Sequence, residues 1–288
     1  LVAGVRAAED AGTIPGVGPR GPIAAHHSGF RFTEGPAADA QGRVYFSDVQ
    51  ANRIHRLDPD GRLTTFLEDS QGCNGLMFDG RGRLLACQGA AGRVIAIDVT
   101  TKQITVLAEK FNGKPLDRPN DLVVDRSGGV YFTDPSARSV YYVAPGGAMT
   151  RPISDLPRPN GVILSPDETR LYVLPSGTPD VMDYPVEAPG RLGPGRVFCT
   201  LRQDPATPAR GGDGLAVDTR GNLYLTQPAL KAIQVVAPDG QTLGLIRVPE
   251  SPSNCDFGGP DLRTLYITAR TSLYAVPMEA QGHRFGGR

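Results

Sequence analysis

The sequence contains no tryptophan and only four cysteines among its 288 residues. The cysteines, at positions 73, 87, 199 and 255, are widely separated and form no C-x-x-C pair. This pattern argues against a zinc knuckle. We therefore expect buried free thiols rather than metal ligands or a disulfide framework.

The chain also lacks an excess of either charge, since 30 basic and 30 acidic residues give a formal net charge of zero. A neutral chain has no overall field to draw it to nucleic acid or to an anionic membrane. No apolar run approaches the roughly 20 residues needed to span a bilayer. We expect a soluble protein without nucleic-acid or membrane partners, and the oligomeric state stays open. The first residues show no basic-plus-apolar signal pattern, but the chain starts at Leu1 without a methionine, which is compatible with a missing upstream segment. Cytoplasmic and exported locations therefore both stay open.

Glycine and proline, in contrast, are abundant. The 36 glycines and 26 prolines make up more than a fifth of the chain. Both residues are poor helix formers, so long helices are not expected. Since 40% of the residues are hydrophobic, the chain is not a disordered low-complexity sequence. Many short strands joined by many turns would account for both features.

Six similar segments follow one another along the chain. They are TEGPAADAQGRVYFSD from Thr33, CNGLMFDGRGRLLACQ from Cys73, PNDLVVDRSGGVYFTD from Pro119, PNGVILSPDETRLYVLP from Pro159, GDGLAVDTRGNLYLTQ from Gly212 and SNCDFGGPDLRTLYITA from Ser253. The second residue of each is an acid or amide, usually followed by glycine, and two apolar stretches around a polar turn come after it. These second residues, here called the leading residues, are Glu34, Asn74, Asn120, Asn160, Asp213 and Asn254. They recur every 44 residues on average, the size of a four-stranded propeller blade.

The rest of each repeat supplies two further strands, such as GRVIAIDVTT followed by ITVLAEK. The sequence therefore predicts an all-β fold, a six-bladed β-propeller of four-stranded blades. The absence of tryptophan excludes the Trp-Asp repeat type. The last repeat is short, and IAAHHSGFRF before Glu34 stands where an outermost strand would stand. We expect this N-terminal strand to close the last blade, with residues 1–20 as a tail and residues 21–288 as a single domain.

The inner strand of each blade lines the central channel, so the six leading residues would converge at one channel mouth. Such a ring presents carboxylate and amide oxygens, which suit hard divalent cations. Glu34 and Asp213 would supply two negative charges. The alternative is a repeated turn, because Asn and Asp before Gly are common turn residues. Glu34 in the same register is not expected from that alternative, and both interpretations stay open at this point.

The sequence does not support a dinucleotide-binding loop or a nucleophile elbow. GVGPRG at residues 16–21 has the spacing of a dinucleotide-binding loop, but three prolines surround it and no apolar strand precedes it. No G-x-S-x-G occurs, so a nucleophile elbow is not indicated.

Several of these motifs resemble one family. TEGP at Thr33, RPND at Arg118, YFTDP at Tyr131, PNGV with SPDETRLYV from Pro159, GGDGLAVDTRGNLY from Gly211 and the NCDFGGPDLRTLYITA segment are similar to those of the gluconolactonase/senescence marker protein (regucalcin-like) family. The resemblance covers about residues 28–278. One departure is TDPSARSVYY, which replaces a longer loop after the third-blade strand.

The resemblance implies a divalent metal ion held by Glu34, Asn160 and Asp213, with Asn120 as a further ligand or substrate contact. Ca²⁺ is expected first, and Mg²⁺, Mn²⁺, Zn²⁺ and Fe²⁺ remain alternatives. Arg118 resembles the family's substrate-binding arginine, and Asp121 the acid beside Asn120. Asn74, Asn254 and Asp134 are expected to line the substrate pocket.

The implied activity is hydrolysis of a gluconolactone-like sugar lactone to the aldonic acid. The metal would polarise the lactone carbonyl. Asp213 would be the general base, with Asp121 as the second candidate. The alternatives are a calcium-dependent phosphotriesterase-like hydrolase and a non-enzymatic metal-binding propeller.

Overall fold

The computed structural model describes residues 13–206 and 208–286 of the chain. Its first strand, β1 (Ala24–Ser28), belongs to the last sheet. Blade 1 contains β2 (Thr33–Ala38), β3 (Val44–Asp48), β4 (Arg53–Leu57) and β5 (Leu63–Leu67), and blade 2 contains β6 (Cys73–Phe78), β7 (Leu84–Gln88), β8 (Arg93–Ile97) and β9 (Ile104–Ala108). A short hairpin of β10 (Lys110–Phe111) and β11 (Lys114–Pro115) comes next. Blade 3 contains β12 (Leu122–Val124), β13 (Val130–Asp134), β14 (Ser139–Val143) and β15 (Met149–Ile153).

The second half of the chain forms the other three blades. Blade 4 contains β16 (Pro159–Leu164), β17 (Arg170–Pro175), β18 (Asp180–Ala188), the short β19 (Arg191–Leu192) and β20 (Arg196–Thr200). Blade 5 contains β21 (Leu215–Val217), β22 (Leu223–Gln227), a 3₁₀ turn (Pro228–Leu230), β23 (Ala232–Val236) and β24 (Thr242–Arg247). Blade 6 contains β25 (Pro252–Gly258), β26 (Thr264–Ala269) and β27 (Ser272–Pro277), together with β1. All pairings within the blades are antiparallel. No described helix is long and apolar enough to cross a membrane.

The predicted six-bladed propeller and its closure are confirmed. β1 pairs with β27, and the order of blade 6 is therefore β1-β27-β26-β25. The inner strands β2, β6, β12, β16, β21 and β25 contact one another in sequence, and β25 contacts β2 to complete the ring. A strand from the N-terminal side thus covers an edge that would otherwise be open.

The far ends of the inner strands carry the turns that the sequence indicates. Asp39, Asp79, Asp125 and Asp218 each accept backbone N–H bonds from residues two and four positions later, at 2.8–3.0 Å. These aspartates organise hairpins at the mouth opposite to the leading residues. Between the blades the core is apolar, and Tyr45, Tyr131 and Tyr224 occupy the same buried position in β3, β13 and β22.

The residues after β27 cross this far mouth. The N–H of His283 donates to the carbonyl of Val217 in blade 5 at 3.0 Å, and Arg284 Nη2 donates to the carbonyl of Asp39 in blade 1 at 3.2 Å. Phe285 is buried in the core. The C-terminal segment therefore covers the end of the channel that is remote from the leading residues.

The predicted tail, residues 1–20, is only partly within the described residues, since residues 1–12 lie outside them. Ile14 and Val17 are buried in the apolar cluster beside blades 5 and 6. The carbonyl of Val17 accepts the N–H of Glu279 at 3.0 Å. Residues 13–20 therefore pack against the propeller instead of extending from it as a tail, because Ile14 and Val17 bury their apolar side chains in this cluster.

Candidate active site at the channel mouth

The leading residues lie within the inner strands or just before them, and not in hairpin turns. Glu34, Asn74, Asn160 and Asn254 lie within β2, β6, β16 and β25, while Asn120 and Asp213 come just before β12 and β21. The repeated-turn alternative is therefore wrong. Glu34 and Asn254 are buried, and the other four leading residues are half-buried.

A hydrogen bond crosses each of the six junctions between neighbouring blades near these residues. The bonds are Ser47 Oγ to the Asn74 carbonyl (2.8 Å), Gly75 N–H to Asn120 (2.8 Å), Thr133 Oγ1 to Asn160 (2.7 Å), Gly161 N–H to Asp213 (2.9 Å), Gly214 N–H to Ser253 (2.7 Å) and Ser253 Oγ to Thr33 (2.7 Å). Backbone carbonyls near the start of each inner strand thus hold the ring together.

These junctions explain the glycine that usually follows a leading residue. A Cβ at Gly161 would lie 2.6 Å from the Asp213 carbonyl oxygen, and one at Gly214 would lie 2.0 Å from Asn254 Oδ1. Only glycine permits so close an approach between adjacent inner strands.

Side chains from four blades meet inside the channel mouth. Asn254 of blade 6 donates from Nδ2 to Asp121 Oδ2 of blade 3 at 3.3 Å, although 133 residues separate the two in sequence. Glu34 of blade 1 interacts with the Asn254 side chain and, electrostatically, with Asp213 of blade 5 and with Asp121. The radial arrangement therefore brings three carboxylates close enough to influence one another's ionisation.

Burial and mutual repulsion disturb the ionisation of this group. Burial raises the pKa of Glu34 well above its usual range, and repulsion from Asp213 and Asp121 adds to the rise. Burial, followed by repulsion from Asp121, raises the pKa of Asp213 to about 7, against a smaller lowering by a hydrogen bond from Asn160. Burial also raises the pKa of Asp121 to about 7. Three carboxylates near one another therefore resist losing their protons together.

Among the described residues, no Lys, Arg or His forms an ion pair with Glu34, Asp121 or Asp213. Buried carboxylates without a cationic partner carry a large desolvation cost. The described residues also include no group of three or more His, Cys, Asp or Glu side chains that could by itself hold a metal ion. The predicted set instead combines the carboxylates of Glu34 and Asp213 with amide oxygens. This all-oxygen, negatively charged set fits a hard divalent cation.

The other predicted site residues lie outside the group of three carboxylates. Arg118 is exposed, on the loop that enters blade 3. Asp134 is fully buried behind that loop and accepts the N–H groups of Asp117 and Arg118 at 2.9 and 3.0 Å. Asp134 was expected to line the pocket, but its position is that of a support for the loop. Asn74 and Asn120 retain partly exposed side chains at the mouth.

Comparison with known proteins identifies the family. A model of the SMP-30/Gluconolactonase/LRE-like region matches residues 32–271. The chain belongs to this family. Gluconolactonase of Zymomonas mobilis subsp. mobilis is 31% identical to it over an alignment that covers 91% of this chain and 82% of that protein.

Solved structures agree with this assignment to the SMP-30/Gluconolactonase/LRE-like family. A gluconolactonase from Xanthomonas campestris superposes with a TM-score of 0.80 at 30% identity, covering 89% of both chains. A calcium-binding regucalcin from Agrobacterium tumefaciens superposes with a TM-score of 0.78 at 23% identity, covering 92% of this chain and 97% of that one. At that identity the second similarity shows the fold alone. The relatives confirm the predicted family and support a lactonase, while the cation and the residue roles stay predictions.

Sequence reasoning missed the hydroxyl groups that support the site in this family member. Ser47 and Thr133 occupy the same position in their repeats and bind the carbonyls of Asn74 and Asn160 in the next blade. Thr226 has the same position in blade 5, where its Oγ1 donates to the carbonyl of Ser253 at 3.1 Å. The recurring small hydroxyl residue before the end of the second apolar stretch, as in YFSD, YFTD and LYLTQ, was the signal that could have found them.

Proposed function

We propose that this protein hydrolyses a gluconolactone-like sugar lactone to the aldonic acid at the channel mouth where the leading residues meet. The observation that carries the proposal is a group of three carboxylates without a described cationic side chain paired to them: the buried Glu34 and Asp121 and the half-buried Asp213. Membership of a family whose relatives are gluconolactonases supports the choice of substrate.

A divalent cation, Ca²⁺ in the first instance, would be held by Glu34, Asn160 and Asp213, with Asn120 as a further oxygen donor. When bound, such an ion supplies Lewis-acid stabilisation of the negative charge that develops on a carbonyl oxygen. The alternatives Mg²⁺, Mn²⁺, Zn²⁺ and Fe²⁺ would use the same oxygen atoms. The donor chemistry and the unbalanced negative charge support this assignment.

Asp213 is the better placed of the two candidate bases. Its side chain is half-buried and has Asn160 as its side-chain hydrogen-bond partner. A pKa near 7 lets a carboxyl group accept and return a proton at neutral pH. Asp213 would accept a proton from the water that adds to the lactone carbonyl carbon. It would then return that proton to the ring oxygen as the ring C–O bond breaks.

Asp121 is less suited to that role, because its oxygen atoms already accept hydrogen bonds. Its Oδ1 accepts the N–H of Leu122 at 2.9 Å, and its Oδ2 accepts from Asn254 at 3.3 Å. We assign it to the electrostatics of the site. Arg118, Asn120 and Asn74 would bind substrate hydroxyl groups at the mouth.

A substrate panel tests the proposal. Gluconolactone, a pentonolactone and one phosphotriester are offered to protein that has been treated with a chelator and then resupplied with Ca²⁺, Mn²⁺ or buffer alone. Hydrolysis of a sugar lactone that disappears on chelation and returns with a cation is the expected result. Exclusive hydrolysis of the phosphotriester would replace the substrate assignment. Full lactonase activity in the chelated protein would refute the role of the cation.

A further inference from the structure

Asn254 lies at the centre of the carboxylate group and not at its solvent-facing edge. It is 6% exposed. Its Oδ1 accepts the N–H of Cys255 at 2.8 Å, which fixes the orientation of the amide and turns Nδ2 towards the channel. The amide also packs directly against Gly214, where a Cβ would come within 2.0 Å of it. The side chain therefore has one orientation and little room for another.

The NH₂ group of Asn254 has two protons and interacts with two carboxylates. Nδ2 donates to Asp121 Oδ2 at 3.3 Å, and the same side chain lowers the pKa of Glu34, as a hydrogen-bond donor beside it would. The two carboxylates come from blades 1 and 3, so one amide of blade 6 acts on two other blades across the channel. Glu34 is further oriented by its own neighbour, since Oε2 accepts the N–H of Gly35 at 3.1 Å.

The chemistry requires an amide at this position. An amide donates two hydrogen bonds without adding charge, whereas an aspartate would place a fourth carboxylate in the group and would donate none when ionised. An alanine would remove the side-chain donor and leave Glu34 and Asp121 only their backbone donors, Gly35 and Leu122, which is costly because a buried acceptor that loses a hydrogen bond does not regain solvation.

We propose that Asn254 is a positioning residue that holds Glu34 and Asp121 at a fixed separation by donating one N–H to each. This role would replace the substrate-binding role that the sequence predicts for Asn254. Its effect on catalysis rests on the proposed function, because Glu34 is the residue that it would orient towards the cation. The hydrogen-bonded clamp itself is a property of the protein without a cation.

Nuclear magnetic resonance of the metal-free protein tests the clamp directly. The Nδ2 proton pair of Asn254 is assigned by its loss in the Asn254→Ala variant. We expect the Glu34→Gln variant to shift chiefly one proton of the pair and the Asp121→Asn variant chiefly the other. A proton pair that responds to neither variant, or to Asp121→Asn alone, would overturn the proposal whether or not the protein is a lactonase.

Calorimetric titration with Ca²⁺ tests the consequence, with Asn222→Ala as the matched control. Asn222 is also 6% exposed and also donates from Nδ2 to a buried aspartate, Asp218, at 2.7 Å, but at the far mouth. We expect Asn254→Ala to weaken Ca²⁺ binding by about 10- to 100-fold, as loss of an outer-shell partner does. Asn222→Ala should lower Tm without changing Ca²⁺ affinity.

The kinetic outcome separates positioning from substrate binding. A positioning role predicts a fall in kcat that exceeds any change in KM. A rise in KM with unchanged Ca²⁺ affinity would show that Asn254 contacts substrate, and the proposal would be wrong. A wild-type protein that neither binds a divalent cation nor hydrolyses a lactone would refute the proposed function, and the resonance experiment would still decide the clamp.

Discussion

Asp134 holds the backbone of Arg118 from behind, since its carboxylate accepts the Arg118 N–H at 3.0 Å while remaining fully buried. The N–H of Asp117 donates to the same carboxylate at 2.9 Å. An exposed guanidinium group at the mouth is thus carried by a loop that one buried carboxylate fixes.

Replacing Asp134 with alanine should therefore weaken substrate binding more than it slows the reaction. Hydrogen bonds to a charged group contribute about 1.5–3 kcal/mol each, so the loop should lose its fixed position. We expect KM for the lactone to rise roughly tenfold with a smaller change in kcat, measured by steady-state kinetics. Asp125→Ala is the control, because Asp125 also accepts backbone N–H bonds but lies at the far mouth. An equal rise in KM in both variants would contradict this role.

The raised pKa values of the site predict an unusual pH dependence for the metal-free protein. Asp121 and Asp213 have pKa values of about 7 in the folded state, and unfolded aspartate titrates near 4. Between about pH 4 and 7 the folded protein therefore binds more protons than the unfolded chain, so the free energy of unfolding falls as pH rises. Two further carboxyl groups with raised pKa values add to this effect, Asp134 and Asp256. The groups with lowered pKa values oppose it: the acids Asp98, Asp167 and Glu250 mainly below the window, and the histidines His26, His55 and His283 at its upper end.

Urea denaturation in the presence of a chelator at pH 5, 6, 7 and 8 measures this dependence. We expect the urea midpoint to decrease across the series and saturating Ca²⁺ to restore it at pH 8, because a ligand that binds only the folded state stabilises it. A midpoint that increases from pH 5 to 8 without a cation would show that the pKa values of these carboxyl groups are not raised in the folded protein.

Asp213→Asn should make the metal-free protein more stable at pH 8, because it removes one of the repelling charges. The gain should appear as a Tm increase of about 2–4 °C for each kcal/mol, measured by differential scanning calorimetry. Asp60→Asn, on an exposed turn, is the control and should change the free energy of unfolding by less than about 0.5 kcal/mol. A lower Tm in Asp213→Asn than in the wild type would indicate that Asp213 has a stabilising partner.

Thr133 joins two parts of the site, and its hydroxyl should matter for both stability and activity. Its Oγ1 donates to the Asn160 carbonyl at 2.7 Å and accepts the Asp121 N–H at 3.1 Å. Thr133→Val keeps the shape and leaves these groups unpaired, which should cost about 1–3 kcal/mol. We expect kcat/KM to fall as well.

The matched variant Thr150→Val removes a similar bond, from Oγ1 to the Gly190 carbonyl at 2.9 Å, on the outer strand β15. It should reduce the free energy of unfolding measured in urea but leave kcat/KM unchanged. A loss of activity in Thr150→Val equal to that in Thr133→Val would contradict the specific role of Thr133.

Repetition made the fold predictable from sequence. A segment that recurs every 44 residues on average gives six independent indications of the same inner strand, so a chance pattern in one blade does not change the predicted fold. The closing strand was also predictable, because blade 6 lacks a fourth strand and IAAHHSGFRF has no other sheet to join. The extension of β18 and the short β19 in blade 4 were not predicted, since no other repeat contains them.

The site was only partly predictable for a physical reason. Periodicity places a residue on the inner strand, but it does not tell which side chain forms a hydrogen bond with which. Asn254 and Asp121 meet across the channel from opposite blades, and Asp134 lies behind the loop of Arg118 instead of in the pocket. The segment around Arg284, which covers the far mouth, belongs to no repeat and had no sequence signal.

The most direct test of the central claim is the turnover number of Asp213→Asn with gluconolactone at pH 7.5 in saturating Ca²⁺, alongside circular dichroism to verify the native fold. A general base contributes about 10²- to 10⁴-fold to the rate. If Asp213 is the general base, kcat should fall by at least about 10²-fold while the circular dichroism spectrum stays unchanged. Turnover equal to that of the wild type in the folded variant would contradict the assignment of catalysis to Asp213.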